Sequence, residues 1–233
     1  MSFKQARAFH PGLAWLIHQR PYRDTSALCE FFTQDHGRIS VIVLNCRSKK
    51  RRALLIPFQP LWIEVKGEGG LKMLTQIESE GPALRLMGAS SFCGLYLNEL
   101  ILKTLTQTDP TSEIFMAYQH ALKTLSAQPH QQASTLRHFE MTLLEQLGYA
   151  LPFHQLKNPE AYYEYSLEQG FIEYTIPADT RLSYDTLKAI EQRNWSTPQQ
   201  ARASKYLMRQ AIQAALHDQT LQARTLWQPV EIA

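Results

Sequence analysis

The chain has 233 residues, 44% apolar and 19% charged, enough material for a sizeable core and too apolar for a disordered chain. Its three cysteines, Cys29, Cys46 and Cys93, form no CxxC pair, which argues against a disulfide framework and against a cysteine zinc site. No run of 18 apolar residues is present and MSFKQARAFHPGLAWLIHQR lacks the apolar core of a signal peptide, so no membrane span and a cytoplasmic location are expected.

The net charge of +3 hides an asymmetry. Residues 1–80 hold twelve Lys and Arg against seven Asp and Glu, whereas residues 81–233 hold twelve against fourteen. The run from Arg47 to Arg52 supplies five of the cations. Such a distribution points to a polyanion-facing segment.

In chain order, residues 13–18 form a short apolar run, followed by a turn at RPY. Residues 26–33 and 38–46 are rich in β-formers, and the QDHG between them predicts a hairpin with Gly37 at its end. Ile39, Val41 and Val43 alternate and share one face. Phe31 and Phe32 fall on opposite faces, which predicts that one of the two is buried. The basic run 47–52 reads as a loop. PLWIEVKGEGG at 60–70 predicts a strand with Leu61, Ile63 and Val65 on one face, and LKMLTQIES at 71–79 a fifth strand. Five short strands with polar turns close most economically as a small barrel, which leaves no open edge.

After residue 85 the period changes to three and four, and helices are predicted over 88–106, 112–126 and 131–147, with Gly148 as a stop. Residues 150–160 read as a loop, YYEYS and FIEYT as a hairpin, and helices return at 182–193, 198–217 and 220–227. The expected fold is therefore α+β: an OB-type five-stranded β-barrel over residues 1–80, then a mainly helical domain over 81–233 with a short β-hairpin insertion.

No GxxxxGK[ST], strand–GxGxxG–helix, GxSxG or HExxH occurs, and the eight histidines are scattered, so no catalytic residue, metal site or cofactor is expected. Cys46 beside Arg47 invites a reactive-thiol reading; a small hydrophobe is the competing one. The basic run reads either as a solvated turn or as a phosphate contact. Barrels of this size commonly bind single strands across one face and its loops. The expected DNA-binding residues are Arg20, Arg23, Arg38, Arg47, Lys49, Lys50, Arg51, Arg52 and Lys66, with Lys72 nearby and Trp15, Tyr22, Phe31, Phe32, Phe58 and Trp62 as aromatics among which stacking platforms would lie.

Several motifs in order carry a resemblance. LIHQRPYRDTSALCEFFTQDHGRISVIV is similar to the N-terminal segment of the bacterial recombination-mediator family RecO, through Arg23, Asp24, Thr25, Ser26, Thr33, Gly37 and Arg38. LIPFQP, with Pro57, Phe58 and Pro60, matches the family's Leu-x-Pro-Phe-x-Pro segment. GLYLNELILKTL resembles its Tyr-x-x-Glu-Leu helix through Tyr96, Asn98, Glu99 and Leu100, and TLRHFEMTLLEQLGY its L-R-x-F-E helix through Leu136, Arg137, Phe139, Glu140, Leu143, Leu144, Leu147, Gly148 and Tyr149. Two departures stand out: Asn45-Cys46 replaces the usual Gly-Ala, and no cysteine follows Cys93, so a zinc-less branch with a degenerate zinc-module region at about 150–180 is implied.

The resemblance implies a non-enzymatic protein that binds single- and double-stranded DNA, anneals complementary strands and helps load recombinase on coated single strands in RecF-pathway repair, associated with the nucleoid. It implies RecR and single-stranded DNA-binding protein as partners. The acidic tail of the latter would meet Arg137, Leu136 and Phe139; the competing reading of Arg137 is an internal ion pair with Glu140 or Glu99. A protein-interaction adaptor whose basic run only aids solubility is the second hypothesis, and an RNA-binding barrel the third, since phosphate contacts look alike in both nucleic acids.

Overall fold

The computed structural model describes residue 9, residues 11–216 and residues 219–223. The described residues up to Pro129 together with residues 221–223 form one compact unit, and those from His130 to Thr220 form a second.

The first unit opens with a closed barrel, ordered β1-β2-β3-β5-β4. Its strands are β1 (Gly12–Tyr22), β2 (Ser26–Thr33), β3 (Gly37–Val43), β4 (Pro60–Lys66) and β5 (Leu71–Ser79). The alternation in β2, β3 and β4 does what period two demands. Cys29, Phe31, Ile39, Val41, Val43, Leu61, Ile63 and Val65 fill the barrel interior, with Ala14 and Leu16 from β1. Burial deep in this core pushes the Cys29 thiol up to about 12, with smaller contributions from Cys46 and Glu30, so Cys29 is an inert filler.

Strand β1 runs on through the expected RPY turn. It carries a bulge, seen as a register shift between Leu16 and His18 against β2. The extra residue inverts the alternation. Ala14 and Leu16 point inward, and without the bulge Arg20 would follow them into the core; with it, Arg20 pairs with the outward Leu28 and is exposed.

Phe31 and Phe32 are both fully buried, which corrects the expectation that only one would be. Phe31 fills the barrel. Phe32 points outward, but the helices α2 (Ala89–Thr104) and α3 (Ser112–Ala127) belong to the same unit, and α3 covers it. Its ring lies 5.3 Å from Phe115 and 5.8 Å from Tyr118, and Trp15 meets Tyr118 edge-on at 6.0 Å. The compact unit that holds the barrel thus includes α2 and α3. Elsewhere on α2, Gly94 makes room for Phe58 and Leu86: a Cβ there would lie 2.7 Å from the Phe58 ring and from the Leu86 side chain.

The β2–β3 turn meets the segment between α2 and α3. Thr108 donates its N–H to the Arg38 carbonyl at 2.9 Å, and Gly37 sits at φ +64° with its α-carbon against Asp109. An added Cβ would fall 2.1 Å from the Asp109 carbonyl oxygen. Gly37→Ala is therefore expected to destabilise the protein by about 2–4 kcal/mol, from the left-handed backbone and from a clash with backbone that cannot rotate away. Urea unfolding checks this; a loss below about 0.5 kcal/mol, the size of an ordinary surface substitution, would contradict it.

Glu99 on α2 holds the returning segment. Its carboxylate accepts the N–H groups of Gln222 at 2.8 Å and Ala223 at 2.7 Å and pairs with Lys103 at 2.8 Å. Burial alone would raise the Glu99 carboxyl, but Lys103 and the two amides outweigh it and hold it below the ordinary glutamate range.

The second unit contains α4 (Gln132–Gln146), a three-stranded sheet ordered β7-β6-β8, α5 (Tyr184–Glu191) and α6 (Pro198–Leu216). The sheet is built from β6 (Tyr162–Ser166), β7 (Gly170–Tyr174) and the two-residue β8 (Leu182–Ser183). The expected hairpin is thus present with one further short strand beside it. Phe139, Leu143 and Leu144 of α4 are buried, and α4 packs against α6, whose Leu207, Met208 and Ile212 are buried too. Of the helix expected over 220–227, residues 222–223 are helical, and residues 224–227 lie outside the described residues.

Candidate nucleic-acid interface

The basic run is a helix, not the loop its composition suggested. Helix α1 spans Lys49–Leu54, and Ser48 caps it by accepting the Arg51 N–H. Lys, Arg, Ala and Leu are strong helix formers, and the helix ends by inserting Leu55 into the barrel core, with Leu54 and Cys46 packed beside it. One guanidinium N–H of Arg51 donates to the Leu44 carbonyl, tying α1 to the end of β3. No acid stands in the first turn. Two cations there, Lys49 and Lys50, oppose the helix dipole, an arrangement that local stability does not favour.

Strand register places other cations beside α1. The β1–β2 turn and the β3–α1 junction lie at the same end of the barrel, and the Cys46 N–H bonds to the Thr25 carbonyl at 2.9 Å. Arg23 sits in that turn at φ +54°, its guanidinium 5.2 Å from the centre of the Tyr22 ring. Across the outer surface, Arg20 pairs with Leu28, Leu28 with Ile42, Ile42 with Met73 and Met73 with Lys66. This gives one transverse row with a cation at each end and apolar side chains between. Leu44 is 42% exposed beside the row and Met73 36%. Tyr22 is the half-buried aromatic at its edge.

The surface is therefore an apolar strip along β2, β3 and β5, bordered by Arg20 and Arg23 on one side, Lys66 on the other and α1 at the end. Asp24 shares the β1–β2 turn and Glu68 lies in the β4–β5 loop. Among the described residues no carboxylate pairs with Arg20, Arg23, Arg47, Lys49, Lys50, Arg51 or Arg52.

Not every expected residue joins this surface. Arg38 lies further along the outer face, where residues 105–108 run beside it. It pairs with Glu30 at 2.8 Å and donates to the Leu105 carbonyl at 3.0 Å. Glu30 in turn accepts from Ser40 at 2.5 Å. Arg38 thus joins strands to the α2–α3 connection. Lys72 donates to the Gly67 carbonyl at 2.9 Å. Of the aromatics, Trp15, Phe31, Phe32 and Phe58 are buried, which leaves Tyr22 and Trp62 partly accessible. Trp62 stands on β4 opposite Leu13 and Glu78, away from the Arg20–Lys66 row.

The residues missing from the sequence reading are Leu28, Ile42, Leu44 and Met73. Their signal was the two-sided apolarity of SALCEFFT and RISVIV. A strand in a small barrel needs one apolar face; a second one must be covered by something, here partly by α3 and for the rest by solvent.

In the second unit, Arg137 of α4 is buried and ion-paired with Glu140: one terminal guanidinium nitrogen donates to a carboxylate oxygen at 2.6 Å, and Nε lies 2.5 Å from the other oxygen without hydrogen-bond geometry. Of the two readings of Arg137, the internal ion pair with Glu140 is the one the structure contains. Phe139 is buried and Leu136 half-buried. Among the described residues no group of three or more His, Cys, Asp or Glu is placed to hold a metal ion, and no helix is long and apolar enough to cross a membrane.

Comparison with known proteins bears on the whole chain. Residues 13–82 match the family model Recombination protein O N terminal, and residues 87–156 match Recombination protein O C terminal. Among similar proteins is one from Methylococcus capsulatus, named DNA repair protein RecO, 37% identical over 222 residues, covering 92% of this chain and 91% of the relative. Proteins of the same name from Legionella pneumophila and Nitrosospira multiformis are 34% identical over 224 residues and 35% identical over 234 residues, covering 93% and 96% of this chain and 96% of each relative. A five-stranded closed barrel followed by helices and a small sheet, matched in order by both family models and by relatives over nearly their full length, makes this chain a member of the RecO family.

Proposed function

We propose that the chain is a non-catalytic DNA-binding protein of recombinational repair that anneals complementary strands and helps place recombinase on protein-coated single strands. The observation that carries the reading is the gathering of Arg20, Arg23 and Arg47–Arg52 at one end of the barrel with no carboxylate partner among the described residues. Backbone phosphates supply the missing charge, and release of their counterions drives binding. The apolar strip and Tyr22 suit unstacked bases. Lys66 borders the strip, while Arg38 serves the barrel through Glu30. Two strands held by the same cations repel each other less, which is the physical basis proposed for annealing.

The partners belong to the same proposal: RecR, and the acidic tail of single-stranded DNA-binding protein. A tail carboxylate reaching Arg137 would have to compete with Glu140 for it.

The test is the annealing of two complementary oligonucleotides at low salt, followed by fluorescence. Protein is expected to accelerate duplex formation, and the acceleration is expected to fade as salt rises from about 50 to 200 mM. An annealing rate equal to that of the bare oligonucleotides would sink the proposal and favour the adaptor reading.

A further inference from the structure

Helix α6 of the second unit is polar in an unusual way. Its buried stripe is Ala203, Ser204, Leu207, Met208, Ala211, Ile212, Ala215 and Leu216. The opposite face carries Arg202, Lys205, Tyr206 and Arg209, all exposed, at spacing i, i+3, i+4 and i+7. At 1.5 Å rise per residue the row is about 10 Å long. Gln210 donates to the Tyr206 hydroxyl at 3.1 Å, which steadies the ring among the cations.

The row has no local counter-charge. Residues 192–217 contain no Asp or Glu, although residues 81–233 as a whole hold more acids than bases. Among the described residues no carboxylate pairs with Arg202, Lys205 or Arg209. A solvated helix ordinarily interleaves acids three or four residues from its bases, because like charges at that spacing repel by a few tenths of a kcal/mol per pair. An external polyanion removes this repulsion. The aromatic ring within the row favours a single strand: in a duplex the bases are stacked on one another, whereas a single strand presents flat faces at the spacing of its phosphates.

We propose that the exposed face of α6 is a second single-stranded DNA contact, with Arg202, Lys205 and Arg209 on phosphates and Tyr206 stacked on a base. The site goes beyond the barrel surface and does not depend on it. It gives each of the two units its own cation row, so one chain can engage two strands.

The experiment uses the full chain with Arg202→Gln, Lys205→Gln and Arg209→Gln together. The slope of log K against log salt for single-stranded DNA is expected to become shallower by about 2, at about 0.7 per phosphate. Arg202→Lys with Arg209→Lys, which keeps the charge, is expected to retain the slope. Tyr206→Ala is expected to weaken single-strand binding by about tenfold and leave duplex binding unchanged; this variant carries the test should the triple variant unfold. Unchanged affinity and slope in a folded triple variant would overturn the site. So would a Tyr206→Ala variant that binds DNA normally while the triple variant loses only an acidic peptide. A triple variant that loses RNA but not DNA of equal length would overturn the DNA assignment. If neutralising α1 leaves DNA binding intact and neutralising α6 abolishes it, the barrel proposal fails and this one stands.

Discussion

Replacing Arg47, Lys49, Lys50 and Arg52 by Gln, with Arg51 retained, is expected to lower affinity for single-stranded DNA by about two to three powers of ten at about 50 mM salt. The four side chains are exposed and have no carboxylate partner among the described residues, so their removal takes nothing from the fold. Arg51 is kept because its guanidinium holds the Leu44 carbonyl and so anchors α1 to β3. Stability should stay about equal, since Lys49 and Lys50 stand in the first turn of α1, where the dipole disfavours cations, and Arg52 in the last turn, where it favours them. Fluorescence titration measures the first effect and thermal unfolding the second. A variant that binds within about twofold of wild type would show that α1 is only a solvated plug.

The second large effect concerns α4. Glu140 is 1% exposed and faces Arg137, itself 8% exposed. Glu140→Ala leaves a buried guanidinium without its carboxylate, and the expected loss is about 3–5 kcal/mol. For a chain of this length that is a fall in melting temperature of roughly 6–20 °C, at about 2–4 °C per kcal/mol. Adding Arg137→Met to Glu140→Ala should recover part of the loss, because an apolar side chain of similar reach needs no counter-charge. A loss under about 1 kcal/mol for Glu140→Ala would mean that the pair is wet and that Arg137 is open to other carboxylates.

Much of the barrel was legible because its strands follow period two so closely. Ile39, Val41 and Val43, and Leu61, Ile63 and Val65, needed only their alternation to be placed inside. What escaped was whatever breaks or doubles that period. The bulge after Leu16 is invisible in LAWLIHQR, yet it decides that Arg20 faces out. Phe32 looked like a candidate for stacking because its cover, Phe115 and Tyr118, comes from a helix more than eighty residues away. The basic run was visible as charge, but its helical form depends on the Ser48 cap and on Leu55 finding the barrel core. Arg38 was grouped with the phosphate contacts by sign alone; its partner Glu30 is on the neighbouring strand, a pairing that only register reveals. Arg137 carried the opposite lesson, since its partner is three residues along one helix turn. The α6 row went unread because three cations in nineteen residues are unremarkable until the helix phase puts them on one face.

If the barrel end holds phosphates, binding must release their counterions. The salt dependence of single-stranded DNA affinity measures that release. With about five phosphates neutralised at the barrel, log K should fall against log salt with a slope of about −3.5 to −4.5, steeper if α6 also engages, and the α1 variant should lose about 3 of it. A wild-type slope near zero, or a slope the α1 variant leaves unchanged, would show that the barrel end does not hold phosphates.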